Sequence, residues 1–206
     1  MSFFKQLLAV LALLCATSVQ AEVVAGKDYK VLNPPQPTSG KKVQVQEFFF
    51  YGCSHCFHLH PLLSAWEKKM PKDVEFQYVP TIFNEAWEPM AHTYYALEAM
   101  GLGNKLHDAL FEAWNVQNLD LSDEAKITEF VAKRGVDRSK FAADYNSFSV
   151  SSKIARSNQM VQSYNIRGTP TIIVDGKFSI TGLQPEETIR VLDEVIQLAR
   201  KDRSTH

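Results

Sequence analysis

The segment VQVQEFFF (residues 43–50) runs straight into YGCSHC, and this junction constrains the fold more than any other stretch of the chain. The first residues alternate apolar and polar and the last are continuously apolar, which predicts a strand buried at its C-terminal end. Gly52 follows as a tight turn. From residue 53 to 69 the apolar side chains of Cys56, Leu59, Leu63 and Trp66 recur at helical spacing, with Lys68 and Lys69 in the expected last turn. VEFQYVP (residues 74–80) alternates again as a strand. The unit is β-α-β, with two cysteines where strand gives way to helix.

Beyond it the pattern changes. MAHTYYALEAMG, NKLHDALFEAWN, SDEAKITEFVAKRG and the run from Phe148 to Tyr164 all have helical periodicity; Ser122 and the acidic residues after it form an expected capped start, and Gly101 and Gly135 expected stops. Four successive helices are expected. Strand character returns in TPTIIVDGKFSITG, where two apolar runs flank Asp175-Gly176, a strong hairpin signal. Pro185 opens a last amphipathic helix. A β-α-β half and a β-β-α half therefore bracket a helical insertion. The boundaries read as residues 22–84 and 165–206 for one discontinuous α/β domain and 85–164 for the insertion.

Residues 1–21 carry one charge, Lys5, then the apolar run LLAVLALLCA and a small-residue ending, Val19-Gln20-Ala21. The run falls short of the ~20 apolar residues a membrane span requires, and the pattern is that of a cleaved secretory signal. Cys15 would be discarded with it, leaving Cys53 and Cys56 alone in an oxidising compartment, so the chain is not a disulfide-stapled scaffold. The formal net charge of −1 offers no basic surplus for nucleic acid.

Two cysteines and three histidines within residues 51–61 admit haem attachment, metal binding or disulfide exchange. Haem attachment needs histidine directly after the second cysteine, and residue 57 is Phe. A structural zinc site needs four ligands; His55, His58 and His60 are the only nearby supplements to the cysteines, and His58 and His60 point away from the face that residues 53 and 56 share. Disulfide exchange fits the geometry, because residues three apart at a helix start have Cα atoms ~5–6 Å apart, the separation a disulfide requires. Cys53 in the first turn meets unpaired N–H groups and the positive end of the helix dipole, which favour a thiolate. Cys56 lies a turn deeper, on the apolar face. Cys53 is therefore the expected nucleophile and Cys56 the resolving thiol, with His55 helping to lower the thiolate's energy. The reduced form should then be the more stable one at neutral pH. His58 and His60 read as surface histidines, and Pro61 as a helix-kinking residue.

EFFFYGCSHC after a strand, Arg167-Gly168-Thr169-Pro170 before the hairpin, and the helical insertion between them resemble the DsbA-type periplasmic thiol oxidases of the thioredoxin superfamily. The resemblance implies a thioredoxin fold with an inserted helical domain, and a cis Thr169–Pro170 bond facing Cys53. It also implies a buried acid, Glu47, near the resolving cysteine, where it would relay a proton. It further implies a monomeric enzyme without cofactor or metal, acting on reduced exported polypeptides and reoxidised by a membrane partner of the DsbB type. Two positions depart from the family pattern: Ser54 replaces a common proline between the cysteines, and Tyr78 stands where some relatives place a basic partner for the buried acid. Tyr51, Phe57 and Pro170 are the expected apolar surface around the motif. A disulfide isomerase or reductase of the same superfamily and a copper or zinc chaperone are the alternatives; isomerases commonly carry an additional N-terminal dimerisation domain, for which about twenty residues before the first clear strand leave little room.

Overall fold

The computed structural model describes residues 22–205; the expected signal segment, with Cys15, lies outside the described residues. Five strands, β1 (Lys30–Val31), β2 (Val43–Phe49), β3 (Val74–Pro80), β4 (Thr171–Val174) and β5 (Phe178–Thr181), form one mixed sheet in the order β1-β5-β4-β2-β3. Helix α1 (Ser54–Glu67) joins β2 to β3, which run parallel; β4 is antiparallel to β2 and to β5. Between β3 and β4 lie α2 (Glu88–Ala99), α3 (Gly103–Asn115), α4 (Glu124–Ala132), α5 (Arg138–Tyr145) and α6 (Phe148–Ser163), and α7 (Pro185–Ser204) follows β5.

Period-two alternation divides the sheet. Val43, Val45 and Phe49 of β2 share a core with Cys56, Leu59 and Leu63 of α1 and with Val191, Leu192 and Val195 of α7. Phe48 of β2, Val79 of β3 and Ile173 of β4 face the other way, onto Tyr164 and Ile166 beyond the end of α6. Full burial of side chains such as Leu59 and Leu63 is worth roughly 1.5–3 kcal/mol each, so the opening of α1 is held against the sheet by its own apolar stripe. The Trp66 indole also donates to Asp193, 2.8 Å away, and ties α1 to α7. In the β4–β5 turn, Asp175 and Gly176 both take positive φ, 52° and 65°, as the dipeptide predicted.

Several elements differ from the sequence reading. β1 is only two residues long, too short for alternation to register. The insertion has five helices rather than four: α5 carries apolar bulk only at Phe141 and Tyr145, one turn apart, so its periodicity is faint. The first cap of α4 is Asp123 rather than Ser122; its carboxylate accepts from the N–H groups of Ala125 and Lys126. Helix α1 starts one residue later than expected and ends before Lys68, leaving Cys53 as its N-cap.

Candidate active site

Cys53 has extended backbone (φ −86°, ψ 114°), and its carbonyl accepts the first helical bond, from Phe57 N–H at 3.0 Å. No side chain caps the helix, so the N–H groups of its first turn remain available to the Cys53 sulfur. The sulfur is half-buried, whereas Cys56 is fully buried on the α1 face toward the sheet. Across from Cys53 stands the Thr169–Pro170 peptide, in the cis form. As a thiol, Cys53 donates to the Thr169 carbonyl at 3.3 Å.

That carbonyl cannot hold a thiolate, which only accepts. The groups that lower the Cys53 pKa to about 5 are the Cys56 thiol first, then the Thr169 side chain and the backbone N–H groups of Cys56 and His55, working against partial burial. The His55 ring itself is exposed and takes no part in that set; it is the His55 backbone that contributes. Cys56 moves the opposite way. Burial pushes its thiol well above the usual range, reinforced by its hydrogen bond to Cys53 and the charge of Glu47. Two cysteines one helical turn apart are thus split into an ionised and a neutral member.

Glu47 lies beneath them. It is not at a sheet edge: β2 sits between β4 and β3, and Glu47 is 1 % exposed with no hydrogen-bond partner on either carboxyl oxygen. Burial first, and the negative charge of Cys53 second, push its pKa up to about 8. Its register partner on β3 is Tyr78, a phenol that offers the carboxyl no positive charge.

Tyr51 is not part of an apolar surface, contrary to the sequence reading: it is 2 % exposed, and its hydroxyl meets His107 Nδ1 of α3 at 2.7 Å. Phe57 and Pro170 are half-exposed as expected, and Pro170 lines a cavity of about 270 Å³ with His55, Leu59, Thr169 and Leu183. His58 is exposed, but His60 is buried at 6 %, stacked on Phe111 with its Nε2 2.6 Å from Asp108. Both corrections have one cause. Helix α3 lies over α1 and over the turn before Cys53, and the periodicity of α1 alone cannot show what covers its flank.

The same helix brings in residues that sequence reasoning missed. Asn115 donates to the Tyr51 carbonyl at 2.7 Å. Trp114 packs so closely on Gly52 that a Cβ there would stand 2.7 Å from the indole nitrogen and 2.5 Å from Phe50 Cε1, so residue 52 must be glycine for want of space. Phe50 in turn stacks on Trp87 at 3.8 Å, beside exposed Phe83. The only hint in the sequence was the run of aromatic residues in NKLHDALFEAWN. Among the described residues, no group of three or more His, Cys, Asp or Glu is placed to hold a metal ion.

The chain as a whole is similar to known proteins. Residues 44–192 match the model of the DSBA-like thioredoxin domain. The chain belongs to this family. The thiol:disulfide interchange protein DsbA of Pseudomonas aeruginosa is 33% identical over 198 residues, covering 94% of each chain, and that of Burkholderia cepacia 39% over 182 residues, covering 84% of this chain and 86% of the relative. The crystal structure of Pseudomonas aeruginosa DsbA superposes with a TM-score of 0.84 at 33% identity, over 88% of this chain and 97% of that one. The oxidoreductase DsbA from Xylella fastidiosa gives 0.81 at 31%, over 87% and 98%. The fold is therefore the thioredoxin-like one of the DSBA family, with its helices inserted between β3 and β4. No helix among the described residues is long and apolar enough to cross a membrane.

Proposed function

We propose that this protein is a periplasmic dithiol oxidase that introduces disulfide bonds into exported polypeptides. The observation that carries this reading is the placement of the two cysteines: Cys53 is the half-buried N-cap of α1 facing the cis Thr169–Pro170 peptide and Cys56 is fully buried a turn deeper, which draws Cys53 down to about 5 and pushes Cys56 up. A disulfide is a strong oxidant when its reduced form is stabilised, and an ionised Cys53 is such a stabilisation. A substrate thiolate attacks the Cys53 sulfur; the S–S bond breaks and Cys56 leaves as a thiolate, which takes a proton from Glu47. A second substrate thiolate then attacks the substrate sulfur of the mixed disulfide and expels Cys53 as a stable thiolate. The substrate leaves oxidised by two electrons, and the pair is left reduced. Thr169 and the His55 backbone hold the Cys53 sulfur, and cis-Pro170, which has no N–H, borders the cavity where the substrate chain lies.

The enzyme acts as a monomer, needs no cofactor, and is returned to the disulfide form by a membrane quinone-linked partner of the DsbB type. Equilibration of the pair in glutathione buffers, together with oxidation of a reduced, unfolded polypeptide, tests the reading. The expected midpoint lies well above the ~−270 mV of thioredoxin. A midpoint at or below that value, or no oxidation of the polypeptide, refutes it.

A further inference from the structure

Phe50, Tyr51, Gly52 and Cys53 form a closed turn between β2 and α1: the Cys53 N–H donates to the Phe50 carbonyl at 3.0 Å. Neither central residue, Tyr51 or Gly52, has positive φ, so the turn is of type I. Rotating the central Tyr51–Gly52 peptide by half a revolution would make it type II, the form that puts its third residue at positive φ and prefers glycine there. Residue 52 is glycine for want of space beside Trp114 and Phe50. That glycine carries a cost: its backbone accepts either form, so the turn's own sequence does not hold it in type I.

Two hydrogen bonds from α3 bear on the turn, and they act on different atoms. His107 meets the Tyr51 hydroxyl at 2.7 Å and fixes the ring. Asn115 Nδ2, anchored on the Phe111 carbonyl at 2.9 Å, donates to the Tyr51 carbonyl at 2.7 Å. Only the second contact distinguishes the two turns, because the flip would carry that carbonyl away from α3. The carbonyl and N–H of a trans peptide point opposite ways. With the carbonyl held on α3, the Gly52 N–H points away from it, and this N–H has no partner among the described residues. Cys53 projects to the same side: its sulfur meets Thr169, and the groups that act on it, Cys56, Thr169 and His55, include none from α3. The titratable neighbours of that sulfur are Cys56 on α1 and Glu47 on β2.

Resting on the function proposed above, we propose that Asn115 is a positioning residue that selects the type I turn and so keeps the N–H end of the Tyr51–Gly52 peptide, not its carbonyl end, on the side of the Cys53 thiolate. A peptide unit carries a dipole of about 3.5 D. In the flipped turn its negative end would stand on the side of the sulfur that must leave as an anion when the oxidised substrate is released. One carboxamide at the end of α3 thereby lets the insertion set how strongly the pair oxidises, without touching substrate or either sulfur.

The test is titration of the Cys53 thiolate by its ultraviolet absorbance in the reduced full-length protein from pH 3 to 8, with the glutathione midpoint measured beside it, for the parent, Asn115→Ala, Asn115→Leu and Tyr51→Phe. The Asn115 variants should weaken the acidity of Cys53 about tenfold, within the reach of backbone dipoles on a partly buried charge. Their midpoints should fall by the ~30 mV that a tenfold change in equilibrium constant represents. In their NMR spectra the Tyr51 Hα and the Gly52 amide proton should come into close contact, the mark of the type II form. Asn115→Leu keeps a branched side chain without the donor and stands in if Asn115→Ala does not fold. Tyr51→Phe removes the other bond from α3 but leaves the carbonyl held, so it should cost stability while Cys53 titrates as in the parent. Parental titrations in the Asn115 variants, a more acidic Cys53 in them, or the same shift in Tyr51→Phe overturns the proposal. The titration needs no substrate, so failure of the parent to oxidise a reduced polypeptide would instead overturn the function on which the proposal rests.

Discussion

Closing the Cys53–Cys56 disulfide should stabilise this fold in acid and destabilise it in mild alkali, with the two redox forms equally stable near neutral pH. A four-residue loop constrains the unfolded chain by only ~2 kcal/mol in the chain-entropy estimate. Against it stands the thiolate. The Cys53 pKa is depressed to about 5 in the fold, against ~8.5 unfolded. For a depressed acid, the stabilisation is complete above the unfolded value and is lost as pH falls through the folded one. At pH 7 about two of the pH units are expressed, or ~2.7 kcal/mol at ~1.4 per unit. Solvent screening of a sulfur that is only half-buried trims this to roughly 2 kcal/mol. The thiolate and the loop therefore nearly cancel at pH 7, so the reduced form lacks the advantage at neutral pH that the sequence reading expected of it.

Urea titrations of the oxidised and reduced protein at half-unit steps from pH 4 to 8 measure the difference directly. The difference, not either curve alone, is the quantity to use, because Glu47 bends both. Its folded pKa of about 8 is raised, so it contributes stability below its unfolded value, ~4.3, that is lost as pH rises through 8. Expected is an oxidised form more stable by ~2 kcal/mol at pH 4, a crossing between about pH 6 and 7.5, and a reduced form more stable at pH 8. A pH-independent difference, or an oxidised form that remains the more stable at pH 8, would falsify the assignment of an ionised Cys53.

Cys56→Ala should accumulate mixed disulfides with reduced polypeptides on a non-reducing gel, and Cys53→Ala should trap none; the reverse pattern would exchange the roles of the two thiols. Glu47→Gln removes a buried acid that must stay protonated to remain folded at no cost, so the variant should be more stable than the parent at pH 8 by roughly 3–5 kcal/mol and show no advantage near pH 4.5; parallel pH–stability curves for the two would show that Glu47 is not held neutral. Gly52→Ala forces Trp114 and Phe50 apart and should cost about 1–3 kcal/mol, the usual range for overpacking, with a shift in tryptophan emission; an unchanged denaturation midpoint would mean that the indole does not press on the turn.

How far the site could be read from the sequence depends on which segment supplies each part. Cys53 and Cys56 were legible because a contiguous strand, turn and helix start place them, and that local geometry already distinguishes an N-terminal thiol from one a turn deeper. Asp175-Gly176 was legible because a positive φ at two successive positions is a local demand. Thr169 and Pro170 entered only through resemblance, since nothing near residue 169 says that it faces residue 53. His60 and Tyr51 were misjudged for a more general reason. Both flank the motif on segments whose own pattern leaves them outside, and both are buried by α3, more than forty positions away in the chain: Asp108 takes the His60 ring, His107 takes the Tyr51 hydroxyl, and Asn115 takes the Tyr51 carbonyl. These contacts fall on one face of α3, one turn apart from His107 through Phe111 to Trp114 and Asn115, so the amphipathic stripe of this helix is spent on the redox motif rather than on the helical layer alone. The insertion for that reason packs directly on the candidate active site, through its contacts with Tyr51 and His60 on either side of Cys53.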